Sequence, residues 1–264
     1  AVSQYPDTPA EVWYKLGYAY AVRKQYPPAI EALEKYLTFP LEQADRKRGL
    51  ALLIRVLLRQ GDYEKAIARY QMRIQEFPQD KETPTLVQEL VDLFLQLQRP
   101  AEAIATYERW LQQAPPHPRQ EEMTLKLAFL YQQQGEEERA IQTLQTLTRQ
   151  AKQIPVRAEA FYRLADLYAG QGERQKALQV LQEMQAALPQ AGEWQRLASY
   201  RAGVLYEEEQ DWAAAVAAYA AVLRGEGGDE TLKQAAAERL EKLKPLVAEK
   251  PAQQKVPQEK QGQP

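Results

Sequence analysis

The sequence predicts an all-α solenoid of about six helix hairpins closed by a C-terminal capping helix. Three observations predict it: a repeat of about 37 residues, two apolar helical faces inside each repeat, and no alternating strand pattern of useful length. The repeat is anchored on the small residue that opens the second helix of each hairpin. These are Ala29, Ala66, Ala103, Ala140, Ala177 and Ala215, at successive spacings of 37, 37, 37, 37 and 38. Recurrence that regular does not arise by chance in a chain of 264 residues.

The first helix of each hairpin precedes its anchor. Nine residues before stand Tyr20, Leu57, Phe94, Tyr131, Tyr168 and Tyr206, and thirteen before stand Leu16, Leu53, Leu90, Leu127, Leu164 and Ala202. Twelve before are Gly17, Ile54, Val91, Ala128, Ala165 and Gly203; sixteen before are Trp13, Leu50, Val87, Thr124, Phe161 and Ser199. Offsets differing by three, four and seven define one face of a helix. The second helix follows the same logic. Four after the anchor come Leu33, Tyr70, Tyr107, Leu144, Leu181 and Tyr219, and seven after come Tyr36, Arg73, Trp110, Leu147, Met184 and Val222.

The turns between the helices carry Gly61, Gly135 and Gly172, with Lys24, Gln98 and Gln210 in the other copies. Glycine there suits a helix end that needs positive φ, and Asp62 suits an N-cap. Pro40, Pro78, Pro115 and Pro189 close several units. A lone hairpin cannot bury both faces, whereas stacked hairpins share a continuous core. Residues 1–8 read as a lead-in, 9–227 as the six-repeat solenoid and 228–249 as the capping helix. In that last helix Leu232, Ala235, Ala236, Leu240 and Leu243 share one face, after the break at Gly225-Glu226-Gly227-Gly228 and a cap at Asp229. Residues 250–264 have too few apolar residues to pack and read as a disordered polar tail.

Composition limits what this array does. With 34 basic and 36 acidic residues the net charge is −2, which gives no overall attraction for nucleic acid or an acidic membrane. No apolar run approaches the roughly 18 residues of a membrane span, so no direct membrane insertion is expected. There is no cysteine, and the single histidine, His117, lies in the stiff loop Pro115-Pro116-His117-Pro118, where it reads as solvated. Cys/His and Ser/His/Asp chemistry therefore has no material to work with. Neither Ser3 nor Ser199 stands in a nucleophile-elbow setting, and Gly170-Gln171-Gly172 lacks the strand and the Lys-Ser/Thr of a phosphate loop. Glu136-Glu137-Glu138 and Glu207-Glu208-Glu209 read as solvated helix turns, because successive helix residues do not face one another. No enzyme activity, cofactor or metal is expected. The first residue is Ala, and the chain reads as processed or excised from something longer.

Several units carry a resemblance to the tetratricopeptide repeat, whose pattern runs aromatic, Leu-Gly, Tyr, Ala, aromatic, Pro. Trp13, Leu16-Gly17, Tyr20, Ala29 and Tyr36 match it in the first unit, and Leu53, Gly61-Asp62-Tyr63, Ala66, Tyr70 and Pro78 in the second. Tyr131, Gly135 and Ala140-Ile141 match in the fourth unit, and Leu164-Ala165, Tyr168, Gly172, Ala177-Leu178 and Pro189 in the fifth. The third and sixth units match less well. The usual repeat is near 34 residues, and the extra residues here are expected mainly in the loops between units. The resemblance implies a right-handed solenoid whose first helices line a concave groove that holds a protein or peptide segment.

The residues fifteen, fourteen and eleven before each anchor, beside the core face, then become the candidate groove. They include Tyr14, Lys15 and Tyr18; Arg55, with Arg48 and Arg59 one turn or two away; Gln88 and Asp92; Lys126 and Phe129; Tyr162, Arg163 and Asp166; and Tyr200 and Arg201. Aromatic and arginine side chains are the types enriched at binding hot spots. The family's carboxylate clamp for chaperone tails uses Lys, Asn and Arg at these places. Here the eleven-before positions hold no Asn, which argues against that ligand. Arg48, Arg55 and Arg59 share a stripe that either meets an acidic partner segment or is neutralised by Glu89 and Asp92 of the next unit.

The opening Tyr5-Pro6-Asp7-Thr8-Pro9-Ala10, with Trp13 to Tyr20 behind it, resembles bacterial cell-envelope tetratricopeptide proteins of the Tol-Pal coordinator and outer-membrane assembly lipoprotein type. That resemblance implies a bacterial periplasmic or envelope location rather than a cytoplasmic one. The expected function is a non-catalytic adaptor in a larger complex. The alternatives are the interaction domain of a larger enzyme or secretion machine, and a self-assembling scaffold that forms homo-oligomers.

Overall fold

The computed structural model describes residues 8–224 and 228–253, with side chains described as far as residue 247. Among the described residues it contains thirteen α-helices and no strand. They are α1 (Ala10–Val22), α2 (Tyr26–Leu37), α3 (Gln43–Gln60), α4 (Tyr63–Glu76), α5 (Thr83–Gln96), α6 (Pro100–Gln113), α7 (Gln120–Gln133), α8 (Glu137–Gln150), α9 (Ile154–Gly170), α10 (Arg174–Ala187), α11 (Glu193–Glu208), α12 (Trp212–Val222) and α13 (Glu230–Gln253). The chain falls into two compact units, Ala1–Arg119 and Gln120–Pro264. The first holds the hairpins α1–α2, α3–α4 and α5–α6. The second holds α7–α8, α9–α10 and α11–α12, followed by α13.

The anchors explain the packing. All six anchor alanines have no solvent exposure, because each sits where the second helix lies against its own first helix. The side chain four residues on is buried in every copy, from Leu33 to Tyr219. Where the first helix offers glycine twelve before the anchor, there is no room for a side chain. A Cβ on Gly17 would stand 2.6 Å from Leu33 Cγ, and one on Gly203 would stand 2.7 Å from Tyr219 Cε1.

All six hairpin turns have one geometry. The residue five before each anchor adopts positive φ: Gly61 at 84°, Gly135 at 76° and Gly172 at 78°, but also Lys24 at 60°, Gln98 at 58° and Gln210 at 58°. The next amide then donates to the carbonyl of the residue nine before the anchor, as in Asp62 N to Leu57 O at 3.0 Å and Arg99 N to Phe94 O at 2.8 Å. That is the helix-ending motif the glycines announce; three copies adopt it without glycine. Asp62 and Asp211 cap the following helices through Lys65 N (3.3 Å) and Ala214 N (3.1 Å).

Within each unit a second helix packs on the first helix of the next hairpin: α2 on α3, α4 on α5, α8 on α9 and α10 on α11. The last hairpin is covered by α13. Ala236, Leu240 and Leu243 bury against Ala215, Tyr219 and Val222, as the apolar face of that helix required. Asp229 accepts from Thr231 N at 2.8 Å at its start.

Two expectations need adjustment. The residues beyond a 34-residue repeat lie partly in loops, such as 77–82 and 114–119, but partly in longer first helices. α3 has 18 residues and α9 has 17, against 14 for α5 and α7. The capping helix also continues to Gln253, past residue 249. The lead-in from 1 to 7, the break at 225–227 and the tail from 254 lie outside the described residues.

Candidate functional site

The candidate residues are set by the first helices, whose core face fixes which neighbouring stripe points away from the anchor alanines. A rule emerges from the second unit: the residue eleven before one anchor meets the residue fourteen before the next. Phe129, 40% exposed, lies under the Arg163 guanidinium, 5.0 Å from the ring centroid, and Arg163 pairs with Glu159 at 2.6 Å. Lys126 shares the cleft of about 510 Å³ that these side chains line with Leu125 and Val156. One hairpin on, Asp166 accepts from Arg201 Nε at 2.6 Å. Tyr162 and Tyr200 complete that cleft, of about 490 Å³. Tyr162 also packs on Trp194 at 5.9 Å, and Tyr200 stands edge-on to Tyr219 at 5.3 Å. Burial, with the Asp166 carboxylate second, pushes the Tyr162 phenol above its ordinary pKa.

The first unit is organised differently. Tyr14 packs on Tyr36 (5.3 Å between centroids) and carries the Arg48 guanidinium 4.1 Å above its ring. Arg48 pairs with Glu11 at 2.9 Å and Asp45 at 3.2 Å, so its charge is matched by residues of its own and the preceding repeat. The expected neutralisation of this stripe by Glu89 and Asp92 is not what forms. Glu89 accepts from the Tyr70 hydroxyl at 3.0 Å, and Asp92 accepts from Gln88 at 2.7 Å. Gln88 in turn accepts from the Tyr107 hydroxyl.

Arg55 and Arg59 are exposed and form no ion pair among the described residues. Arg55 lines a cleft of about 670 Å³ between α3, α4 and α5, together with Glu89 and Arg73. Arg73 occupies the position seven after its anchor, where the other repeats bury large apolar groups. It is itself buried and is matched by Glu82 at 2.5 Å. Lys15 and Tyr18 are exposed, Tyr18 at 55%, and join none of these clusters.

Sequence reasoning missed Trp194 and Glu159, which support the second-unit clefts, and it misjudged His117 and Glu207 as solvated. His117 is half-buried: it stands edge-on to Trp110 at 6.5 Å, and its Nδ1 accepts from Arg119 N at 3.1 Å. Glu207 is also half-buried, accepting from Tyr219 at 2.6 Å and Arg239 at 3.1 Å. A further pattern was present in the sequence, charge at one-repeat separation. Opposite charges 34 to 37 residues apart pair repeatedly, as in Arg69–Glu34 (3.1 Å), Arg99–Glu64 (2.5 Å), Arg174–Glu208 (2.8 Å) and Arg201–Asp166.

Among the described residues no group of His, Asp or Glu is arranged to hold a metal ion, and no helix is long and apolar enough to cross a membrane. The chemistry on offer is recognition through rings, guanidinium groups and carboxylates at the mouths of open clefts. That is the surface of a repeat scaffold.

Sequence-family comparison agrees. Two models of the tetratricopeptide repeat match the chain, one over residues 57–123 and 94–160, the other over 11–38, 159–191 and 197–224. The chain belongs to the tetratricopeptide repeat family, whose repeats form protein-interaction scaffolds. A comparison with the sequences of curated proteins finds no match. Among solved structures, the C-terminal part of a TPR repeat-containing protein from Cytophaga hutchinsonii is similar. It has a TM-score of 0.57 at 14% identity, over 89% of each chain. A structure of Naa15/Naa10 bound to HypK-THB is similar over 92% of this chain at 18% identity and a TM-score of 0.51. This chain spans about a third (35%) of that one. Both likenesses support the fold: an all-α tetratricopeptide solenoid.

Proposed function

We propose that this chain is a non-catalytic adaptor that grips a protein or peptide segment along the stripe beside the core face of its first helices. The observation that supports this most is the set of open clefts between consecutive first helices. Each presents a ring or a guanidinium at its mouth: Arg55 in the first unit, and Phe129 with Arg163, then Tyr162 with Tyr200 and Arg201, in the second. Rings and guanidinium groups held by neighbours lose little rotamer freedom on contact, which favours binding. Arg55 and Arg59 are exposed and in no ion pair among the described residues, which favours an acidic segment over the first unit. The opening that resembles bacterial envelope tetratricopeptide proteins adds a narrower reading, an adaptor in an envelope complex; Thr8 to Tyr20 of it are described, and Tyr5 to Asp7 are not.

The test is capture from cells by the wild-type chain and by the variants Tyr18→Ala, Arg55→Ala and Phe129→Ala, with partners identified by mass spectrometry. All three side chains are exposed, so the variants should fold as wild type does by circular dichroism. Loss of one common partner supports the reading. Undiminished capture by all three would remove the first-helix stripe as the binding surface. Fractionation of cells that express the native gene checks the envelope location independently.

A further inference from the structure

A second set of clefts lies between consecutive second helices, away from the stripe discussed above. In the first unit α4 and α6 both pack on α5 and leave a cleft of about 580 Å³ between them. In the second unit α8 and α10 do the same over α9, around about 860 Å³. Equivalent repeat positions line both: five, eight and nine after one anchor, then sixteen and thirteen before and three and six after the next. The cleft is thus a built feature of this repeat and recurs in it.

Its chemistry differs between the two units. Buried core residues lie beneath both, Val87 and Leu90 in one and Phe161 and Leu164 in the other, and Ile74 and Pro78 give the first unit's cleft its accessible apolar surface. At the position six after the anchor, the first unit carries Arg109 and the second carries Glu183. Arg109 is exposed, forms no ion pair among the described residues, and shares its cleft with no carboxylate. Beside it Trp110 is 7% exposed, and its indole Nε1 is buried without an acceptor. The indole thus stands beside the cleft, where its signal senses an occupant. Gln71, Gln75 and Gln113 ring the opening with amides, which match the donors and acceptors of an extended backbone.

We propose that the cleft between α4 and α6 is a second docking site, one that takes an extended acidic–apolar peptide segment of a partner protein. An apolar side chain lies against Ile74 and Pro78, and a carboxylate meets Arg109. Charge selects the occupant: a cation with no local counter-charge beside apolar surface favours an anionic, apolar segment over a basic one. The equivalent cleft of the second unit has Glu183 for Arg109 and Met184 for Trp110, beside Arg149, Arg157 and Lys176.

The indole N–H resonances of the four tryptophans make the test site-specific. The ¹⁵N-labelled chain is titrated with acetyl-Glu-Leu-Glu-Leu-Glu-amide and, separately, with acetyl-Lys-Leu-Lys-Leu-Lys-amide. Trp110→Phe assigns the Trp110 signal. The acidic peptide should move that signal in a saturable way. Arg109→Glu, on an exposed position, should weaken the titration at least about tenfold, the order of a lost charge-assisted contact, and Arg55→Ala should leave it unchanged. A Trp110 signal that does not move, that moves equally with the lysine peptide, or that moves undiminished in Arg109→Glu overturns the proposal. Because Arg55→Ala addresses the first-helix stripe and Arg109→Glu addresses this cleft, the two surfaces fail or succeed separately.

Discussion

Gly203→Ala tests a close helix approach in the second unit. Its new Cβ would lie 2.7 Å from Tyr219 Cε1, 2.8 Å from Cζ and 2.9 Å from Cδ1. Comfortable carbon–carbon contact begins near 3.5 Å, so the deficit is about 0.8 Å along the whole ring edge. The ring has nowhere to go. Tyr219 has no solvent exposure, its hydroxyl donates to Glu207 at 2.6 Å, and its edge meets Tyr200 at 5.3 Å. Overpacking of this kind costs roughly 1–3 kcal/mol, offset by about 1 kcal/mol of helix propensity gained by Ala over Gly. The expected net loss is about 0–2 kcal/mol. Urea denaturation followed by circular dichroism reads it as a lower midpoint at constant slope. Gly170→Ala is the control. It lies in the last turn of α9 with nothing within 4 Å of the new Cβ, so it should be neutral or stabilising by up to about 1 kcal/mol. If Gly203→Ala gains as much stability as the Gly170→Ala control, α11 and α12 do not approach as described. Rescue by the double change Gly203→Ala with Tyr219→Leu would show that the ring is the obstacle.

Gly61→Gln should lower stability by about 1 kcal/mol, because φ is 84° there and no neighbour offers a new contact; Gln98→Gly should change it by less than about 0.5 kcal/mol, since relieved backbone strain is cancelled by freedom gained in the unfolded chain. Denaturation midpoints of the pair check both. Stability also has an acid limb. The Lys47 ammonium, then the Glu82 amide, hold the Asp80 carboxyl below its ordinary pKa, and Arg46 does the same for Glu76. A carboxyl whose folded pKa is depressed stabilises the fold above its unfolded pKa, near 4, and that contribution fades as pH falls through the folded value. Lys47→Met should therefore flatten the decline in urea midpoint below about pH 4; an unchanged decline would show that this pair contributes nothing there. Ala177→Leu places three further carbons at a fully buried anchor and should cost roughly 1–3 kcal/mol, where an unchanged midpoint would contradict the repeat register.

Much of the fold was legible because one constraint repeats six times. A second helix reaches its first helix only where a small residue stands, so the alanines could be lined up before any coordinates, and each proved inaccessible to solvent. The six left-handed turns were half legible. Glycine signals the conformation in three copies, whereas Lys24, Gln98 and Gln210 adopt it under the pull of the same backbone bond to the residue nine before the anchor. The candidate surface was legible as a stripe but not as clusters. Which guanidinium is consumed depends on pairing across a whole repeat, and Arg48 finds Glu11, 37 residues earlier, rather than Glu89 or Asp92 of the next repeat. The clefts between second helices left no periodic apolar signal, because their floor is the same core face that already served to predict the first helices.

That division of contacts has a mechanical consequence. Within each unit neighbouring second helices pack on the first helix beneath, α4 and α6 on α5 and α8 and α10 on α9, and reach one another only through side-chain pairs such as Arg69–Glu34 between α4 and α2. Strain along either unit can then be taken up by widening or narrowing the gaps between them, without breaking a helix–helix contact. Each unit behaves as a short spring whose stiffness resides in its first helices and whose slack resides in the spaces between its second ones. A segment wedged into one of those spaces would stiffen that spring locally, which couples occupancy of one face to the compliance of the other.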